Sequence, residues 1–566
     1  MKKSILFWFV VLVVLLIIIA KIPLVFQNFP VAVNPDERTS LRILNRFTGG
    51  NYNPHFFHYP TFYYYLTFFL SPFSNSQNII ISGRIINHLL TFALALIVFL
   101  FTKRLSSNYI PATIAFLLIL SSPIIAKSSS YIITDILLSL LIVAASYEYY
   151  NFFETHDYKH WFAGIALNGL AISTKYTALL LTISYILYEF FYSRKSNQIR
   201  LKTTSVSRFL DKEFSTRLLA LILAGCGAIL LLFYFFFPQD ILRQFISTTG
   251  EINSHLDEKD MIFVNSLRNK LGYLSILFLV LSGLVSFRFK FIRRICLVRP
   301  YAGVLLQIVI FFLGSPFALL SFKRFIYDFG AELKENALGG IMQQWTVYPI
   351  RYLNNESLIV FAFFLIGLSY CVLKRIRIGY IIIYLCVSYL VIGSATRGAD
   401  RYLTPLLPFF FIIASLGIFQ IITAFQNKYK RSYYIPLSVL VILISIEIGP
   451  KFIRAIKPIQ ELNEMSRTYK WVSESGITQV YYTGYFPDVE LRNRGVEVIE
   501  ITKELDRPDT KAFLDTLAYG NFLAVNHKTL ETNPHFPDST FKLVFHVDEI
   551  YGQYVYRKTR PQVNKY

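Results

Sequence analysis

Cysteine is scarce in this chain, with four residues among 566, namely Cys226, Cys296, Cys371 and Cys386. All four lie in or beside apolar segments, and none is close to another in sequence. This distribution excludes a disulfide framework and a cysteine-based metal site. The sequence also lacks internal repeats and low-complexity tracts, which weighs against a transporter assembled from repeated halves.

Acidic residues are also in short supply, since 35 Asp and Glu face 56 Lys and Arg and the formal net charge is +21. Such an excess can indicate nucleic-acid binding. Much of it, however, lies in short loops between apolar runs, where positive charge orients membrane helices. We therefore expect membrane lipids as partners and no nucleic acid.

Apolar residues make up 54% of the chain, and the mean hydropathy is +0.46. They fall in blocks close to the length that spans a bilayer, about 17–25 residues. The blocks are 4–20, 82–102, 109–126, 132–150, 161–174, 177–192, 217–237, 272–289, 301–321, 357–374, 379–395, 403–425 and 434–450. The sequence therefore predicts a polytopic α-helical membrane protein with about thirteen transmembrane helices.

Positive charge also orients these spans. The block Ser4–Ala20 resembles a signal sequence without a small-x-small cleavage site, so we expect a retained first span. With Lys2 and Lys3 inside, basic clusters such as Lys103-Arg104 also fall inside. Merging 161–192 into one helix would place the later clusters outside, which favours two short spans.

This topology puts loops 21–81, 238–271 and 322–356 on the outside, together with the tail. The tail alternates polar and β-branched residues, with helical stretches such as Lys511 to Leu517 between them. We therefore predict a transmembrane domain at 1–450 and a C-terminal extracytoplasmic α/β domain at 451–566.

The first outside loop opens with N-P-D-E-R-T. Pro35 marks a helix start, so Asp36 and Glu37 occupy the first turn, where they could merely complement the helix dipole. The apolar residues Leu41, Leu44 and Phe47 predict an amphipathic helix lying on the membrane surface.

Further charged residues fall at the same predicted face: Asp135, Lys175, Arg397, Asp400 and Arg401. Together with Asp36 they could bind a phosphate held in the bilayer and deprotonate a group beside it. Each has a simpler interpretation. Lys175 could extend to the lipid interface, either arginine could pair with Asp400, and Asp135 could cap its own helix through Thr134.

A metal site is weakly indicated. His55 and His58 are isolated from other candidate zinc ligands. Clustered carboxylates can hold Mg²⁺ or Mn²⁺, so the sequence leaves a divalent cation open.

Several segments, in order, resemble the GT-C class of membrane glycosyltransferases, in the protein O-mannosyltransferase and aminoarabinose (lipid A) transferase branch. They are the pair Asp36-Glu37, H-Y-P-T-F-Y-Y-Y-L, T-D-I-L-L with Asp135, G-L-A-I-S-T-K-Y-T-A-L-L, L-G-S-P-F-A-L-L-S-F-K-R-F and R-Y-L-T-P-L-L-P-F. The resemblance covers roughly residues 1–450. Eukaryotic mannosyltransferases carry a β-trefoil domain in a middle loop, and this chain has none long enough, so transfer to protein does not follow.

The resemblance implies a glycosyltransferase of the plasma (inner) membrane that uses a polyprenyl-phosphate sugar at the non-cytoplasmic face and inverts the anomeric centre. Asp36 would be the general base, with Glu37 and Asp135 orienting the acceptor or positioning Asp36. Lys175, Arg397 and Arg401 would bind the donor phosphate, and His58, Tyr59 and Tyr176 would bind substrate. The branch does not generally require a metal. The sugar and the acceptor, whether lipid, glycan or protein, are not identified.

Three other functions compete. A transporter or flippase would also have many spans and buried charges, a polysaccharide ligase or polymerase would use similar donors, and the tail would suit a receptor or scaffold. The gathering of ionisable residues at one outer face favours glycosyl transfer.

Overall fold

The computed structural model describes most of the chain. It covers residues 2–32, 34–71, 76–195, 298–337, 345–374, 376–394, 398–429, 434–456, 464–483, 486–492, 494–501, 517–526, 540–546 and 553–559, with residues 276 and 280 besides. The predicted span 217–237, loop 238–271, the predicted span 272–289 apart from residues 276 and 280, and nearly all of the stretch from Lys511 to Leu517 lie outside these residues.

The part corresponding to the predicted transmembrane domain is helical. Its helices are α1 (Lys2–Val25), α2 (Pro35–Thr48), α3 (Phe62–Leu70), α4 (Ser76–Ser106), α5 (Tyr109–Ser121), α6 (Pro123–Ser129), α7 (Asp135–Thr155), α8 (Tyr158–Ile172), α9 (Leu179–Lys195), α10 (Val298–Gly314), α11 (Pro316–Leu320), α12 (Phe322–Ala337), α13 (Val347–Asn355), α14 (Leu358–Leu373), α15 (Gly379–Gly393), α16 (Leu407–Tyr429) and α17 (Tyr434–Ile456). Two 3-10 helices, Tyr176–Ala178 and Asp400–Leu403, precede α9 and α16.

Three of the described helices are long and apolar enough to cross a bilayer: Asn78–Ser106, Asp135–Thr155 and Leu407–Asn427. Two bent pairs raise the number to five. One is α5 and α6, which meet at 55°, and the other is α13 and α14, which meet at 116°. Within the described residues fewer helices meet this test than the thirteen spans that the sequence predicts for the whole chain. Two of the predicted spans lie almost entirely outside these residues, and several other apolar blocks form helices of only 13–17 residues or break at a polar hinge. The first bend follows from Pro123, which cannot donate to the preceding turn.

The segment 161–192 forms two helices rather than one. Helix α8 ends at Ile172, and Ser173 to Lys175 and the 3-10 turn separate it from α9. The alternative of one long span is wrong for this segment. The break places the extended residue Lys175 at the junction of the two helices.

Helix α2 has its apolar face against protein. Leu41, Leu44 and Phe47 are at most 1% exposed, and Phe47 stacks on Tyr65 of α3 at 5.2 Å between ring centroids. The prediction that this face lies on the membrane surface is therefore wrong. An amphipathic stripe buries equally well against a neighbouring helix, and each such side chain contributes about 1.5–3 kcal/mol on burial.

The tail contains a five-stranded mixed sheet with helices α18 (Glu464–Glu474) and α19 (Asp488–Arg492). Its strands are β1 (Gln479–Tyr482), β2 (Glu497–Glu500), β3 (Phe522–Asn526), β4 (Phe541–His546) and β5 (Gln553–Lys558), in the order β2-β1-β3-β5-β4. The first three strands are parallel, and β5 runs antiparallel to both β3 and β4.

The tail contacts α2 through buried charge. Arg38 donates to the Asp488 carboxylate at 2.7 Å, and Arg42 donates to the same oxygen at 3.1 Å. Glu490 accepts from the backbone N–H of Ala32 at 3.0 Å. Although burial opposes its ionisation, the two arginines hold the pKa of Asp488 below its ordinary value. The helix that carries Asp36 is therefore held to the tail by charge-assisted hydrogen bonds.

Candidate active site

The start of α2 fixes where Asp36 points. Asn34 caps the helix, because its side-chain oxygen accepts from the backbone N–H groups of Asp36 at 3.0 Å and Glu37 at 3.4 Å. Pro35 occupies the first helical position, where its missing N–H costs nothing. The Asp36 side chain remains 23% exposed. It can therefore meet a substrate.

The Asp36 carboxylate pairs with the guanidinium of Arg401. Arg401 lies in the 3-10 helix Asp400–Leu403, more than 350 residues away along the chain. Its Nη1 contacts Asp36, while its buried Nε has no hydrogen-bond partner among the described residues. Asp400 instead accepts from Arg351 at 3.0 Å. The simpler interpretation, in which Asp400 pairs with Arg401, is wrong.

A second ion pair joins Asp135 and Lys175. Lys175 Nζ donates to Asp135 Oδ1 at 2.7 Å, and the two side chains are 10% and 4% exposed. Thr134 makes no side-chain cap, so the simpler capping interpretation does not hold for Asp135. Lys175 does not extend to the lipid interface either, because its ammonium is buried against a carboxylate.

Two tyrosine rings connect the ion pairs. The Lys175 ammonium lies 5.3 Å from the ring centroid of Tyr59 and 5.4 Å from that of Tyr402. The Arg401 guanidinium lies 5.7 Å from the same Tyr402 ring. Cations over aromatic faces are attracted by the ring quadrupole. Both pairs therefore belong to one site with a shared aromatic wall.

The surroundings of Asp36 raise the pKa of its carboxyl. Burial raises the pKa of the carboxyl above its ordinary value, although Arg401 and Lys175 lower it; the carboxylates of Asp135 and Glu332 add to the increase. A carboxylate with a raised pKa accepts a proton more readily than an ordinary surface aspartate does.

The segment H-F-F-H-Y-P is anchored on α12. His58 Nδ1 lies 3.3 Å from Glu332 Oε2, and the backbone N–H of Phe57 donates to Asp328 at 2.8 Å. The hydroxyl of Tyr176 donates to the Phe57 carbonyl at 2.7 Å. His58 and Tyr176 thus support the loop that presents Tyr59, and their substrate-binding roles stay predictions.

Glu37 is buried away from this site. Its carboxylate accepts from Arg84 Nε at 2.8 Å and Nη2 at 2.9 Å, and from the backbone N–H of Ile132 at 3.1 Å. The side chain is 0% exposed. Glu37 cannot orient an acceptor as the sequence suggested, because protein atoms surround its carboxylate and leave no space for an acceptor to contact it. Of the two predicted roles, the geometry allows only the positioning of Asp36.

The remaining predictions concern Arg397 and a metal. Arg397 lies outside the described residues. Within the part of the chain that the structure describes, no three His, Cys, Asp or Glu side chains come together as metal ligands. A divalent cation stays an untested prediction.

Sequence reasoning missed Arg84, Tyr402 and Glu332. Arg84 had a signal, because it is an arginine inside an apolar block, and such residues are paired or functional. Tyr402 directly follows Arg401 in the R-Y-L-T-P segment. Glu332 carried no distinguishing pattern.

Comparison with known proteins supports the resemblance. The family model described as dolichyl-phosphate-mannose-protein mannosyltransferase matches residues 57–210, a stretch that includes Asp135 and Lys175. The crystal structure of ArnT from Cupriavidus metallidurans bound to undecaprenyl phosphate superposes with a TM-score of 0.55 and 12% identity, covering 97% of each chain. Its apo state gives a TM-score of 0.55 and 10% identity, covering 98% of each chain.

The oligosaccharyltransferase of Archaeoglobus fulgidus, in complex with Zn and sulfate, gives a TM-score of 0.49 at 12% identity, with 97% of this chain and 73% of that chain covered. No curated protein matches the chain. The family match and the likeness to ArnT confirm the resemblance to the GT-C class, and the fold is that of a polytopic helical membrane protein.

The buried ion pair between Glu37 and Arg84 leads to the first prediction. Glu37→Gln leaves the Arg84 charge uncompensated, and loss of one partner of a buried pair costs about 3–5 kcal/mol of folding stability. We expect a large drop in the thermal unfolding midpoint of the detergent-solubilised protein. Adding Arg84→Met should recover part of it, because the two residues act as one unit.

Glu154→Gln is the matched control, since Glu154 forms a half-exposed pair with Arg377 at 3.5 Å and surface pairs contribute about 0–1 kcal/mol. If the unfolding midpoint of Glu37→Gln equals that of the control, Glu37 is not the anchor of α2.

Proposed function

We propose that this chain, whose fold and family resemblance are those of the GT-C membrane glycosyltransferases, transfers a sugar from a polyprenyl-phosphate donor to an acceptor hydroxyl. The observation that carries the proposal is the meeting of the Asp36–Arg401 and Asp135–Lys175 pairs at one aromatic-walled site. A base, two fixed cations and a partly exposed approach are what displacement at a phosphorylated anomeric carbon needs.

Asp36 removes the acceptor hydroxyl proton as the acceptor oxygen forms its bond to the anomeric carbon. The bond from that carbon to the phosphate oxygen breaks, and polyprenyl phosphate leaves with the electron pair. A single displacement of this kind inverts the anomeric configuration. No covalent intermediate is required, so no other carboxylate has to reach the sugar.

Arg401 and Lys175 receive the charge of the leaving phosphate, with Arg397 assigned the same role on sequence alone. Arg401 can serve both partners, because a guanidinium has five N–H donors and the contact with Asp36 is made through Nη1. Charge-assisted bonds from fixed cations stabilise a developing phosphate charge more than mobile water does.

Asp135 acts through Lys175. The Asp135 carboxylate accepts a hydrogen bond from the Lys175 ammonium at 2.7 Å, which orients the ammonium and compensates its buried charge. Asp135 is thus a positioning residue for the phosphate site in this mechanism, rather than an acceptor-binding one.

We also propose that the site faces the non-cytoplasmic side of the plasma membrane. Helix α4 carries Arg84 near the site and Lys103-Arg104 in its last turn. The twenty residues from Arg84 to Arg104 span about 30 Å at 1.5 Å per residue, close to the thickness of the hydrocarbon core. Basic loops stay cytoplasmic, so the site lies on the other side.

The direct test is Asp36→Asn, which keeps the shape of the side chain and removes the base. In proteoliposomes supplied with radiolabelled undecaprenyl- and dolichyl-phosphate sugars and membrane acceptors, we expect at least a hundredfold loss of transfer, the scale of general-base catalysis. Undecaprenyl phosphate should still bind. Full retained turnover contradicts the proposal.

Asp157→Asn is the control, since Asp157 is 45% exposed and pairs with Lys159 at 3.0 Å. The transporter alternative has its own readout, because a transporter accumulates labelled donor in sealed vesicles without forming a glycosidic product.

The raised pKa of Asp36 predicts the pH dependence. The base is active only when ionised, so kcat/KM is lost as pH falls through that raised value. We expect the acid limb above the pKa of an ordinary aspartate, about 3.9. In the Arg401→Gln variant the acid limb of the kcat/KM profile should move to higher pH, because this variant lacks a cation that lowers the pKa of Asp36. A limb that stays in place shows that the titrating group is not Asp36.

A further inference from the structure

A cavity of about 460 Å³ is lined in part by Arg401. It lies between the α6 segment, α13, the Gly398–Arg401 stretch and the end of α17, and Asn34, which caps the Asp36 helix, lines it as well. Lys175, Asp135, Tyr59 and Tyr402 are absent from its described lining. Arg401 therefore lines this cavity and also pairs with Asp36 of the candidate active site.

The lining is strongly basic. It contains the five cations Lys127, Arg351, Arg401, Lys451 and Arg454, against the single carboxylate of Asp400. Three of the five cations pair with the carboxylates of Asp400, Asp36 and Glu447, so two positive charges remain in excess, and an excess of positive charge in a partly enclosed cavity attracts anions. We name this set of side chains and their cavity the basic pocket.

Three of the five cations have internal partners. Arg351 is paired with Asp400, and Arg401 with Asp36. Lys451 donates to the carbonyl oxygens of Leu353 at 2.7 Å and Glu356 at 2.5 Å. These contacts fix the walls of the basic pocket.

Lys127 and Arg454 have no ion-pair partner among the described residues, although they line the same cavity from different helices, α6 and α17. Two neutral side chains of the lining are engaged with protein, since Gln27 donates to Ser130 at 3.1 Å and Ser128 pairs with Thr404 at 3.1 Å. The two cations without an ion-pair partner among the described residues favour an oxyanion as the ligand.

We propose that the basic pocket binds an anionic group of the acceptor, a phosphate or carboxylate, and so holds the acceptor beside Asp36. The role of this anion site in sugar transfer rests on the proposed function, whereas the binding of an anion in the basic pocket does not. The donor phosphate lies next to Lys175, outside the basic pocket. The acceptor is then an acidic lipid or glycan rather than a neutral one.

The first test measures binding alone, with inorganic pyrophosphate as the probe. The full chain is placed in nanodiscs of zwitterionic phosphatidylcholine and titrated calorimetrically, empty and preloaded with undecaprenyl phosphate. We expect saturable pyrophosphate binding in both states. Binding that is abolished by undecaprenyl phosphate overturns the proposal, because the cavity then belongs to the donor phosphate.

The variant is Lys127→Gln with Arg454→Gln, two exposed residues outside the catalytic machinery. It should weaken pyrophosphate binding at least tenfold and leave the affinity for undecaprenyl phosphate unchanged. The charge-matched control is Arg104→Gln with Lys159→Gln, two exposed residues away from the basic pocket. Equal losses in variant and control, or none in either, overturn the assignment.

The second test identifies the acceptor class. Membrane lipids and glycans are separated by anion exchange and offered with radiolabelled donor. We expect product in the retained, anionic fraction, formed at least tenfold less efficiently by the double variant. Product confined to the neutral fraction overturns the proposal. Since the pyrophosphate titration needs no transfer, it decides on the basic pocket even if the proposed function fails.

Discussion

The pairing of Glu37 with Arg84 is the constraint on which the site depends. Adjacent residues on a helix point about 100° apart, so when Glu37 is buried against α4, Asp36 must face elsewhere. Arg84 also donates to the carbonyls of Val25 at 3.1 Å and Gln27 at 2.7 Å, which ties the end of α1 to the same point. Two neighbouring carboxylates thus have separate tasks, one as an anchor and one facing the open site.

Helix α2 is held from a second side by the tail. Arg38 and Arg42 bind Asp488, and Glu490 binds the backbone just before the helix. The buried charges on both sides are satisfied by specific partners, an arrangement that fixes one geometry because misplaced charges are costly in a dry environment. The tail therefore contacts the helix that carries Asp36 through Arg38 and Arg42, and the chain just before this helix through the backbone N–H of Ala32.

Sequence reasoning located Asp36, Asp135, Lys175 and Arg401, because charges beside apolar runs stand out and topology assigns them one face. It could not assign their partners. The Glu37–Arg84 pair joins residues 47 positions apart, and an arginine inside a predicted span does not by itself show which carboxylate it pairs with. The apolar stripe of α2 fits lipid or protein equally well, and only tertiary packing decides between them. Likewise, hinges such as Ser122-Pro123 shorten helices in a way that hydropathy blocks do not show.

The most direct test of the account is an experimental structure of the protein with undecaprenyl phosphate bound. We expect the lipid phosphate to lie between Arg401 and Lys175, within hydrogen-bond distance of both, about 3 Å, with the Asp36 carboxylate facing the space left for an acceptor. A phosphate held by Lys127 and Arg454, or one that contacts neither Arg401 nor Lys175, would contradict it.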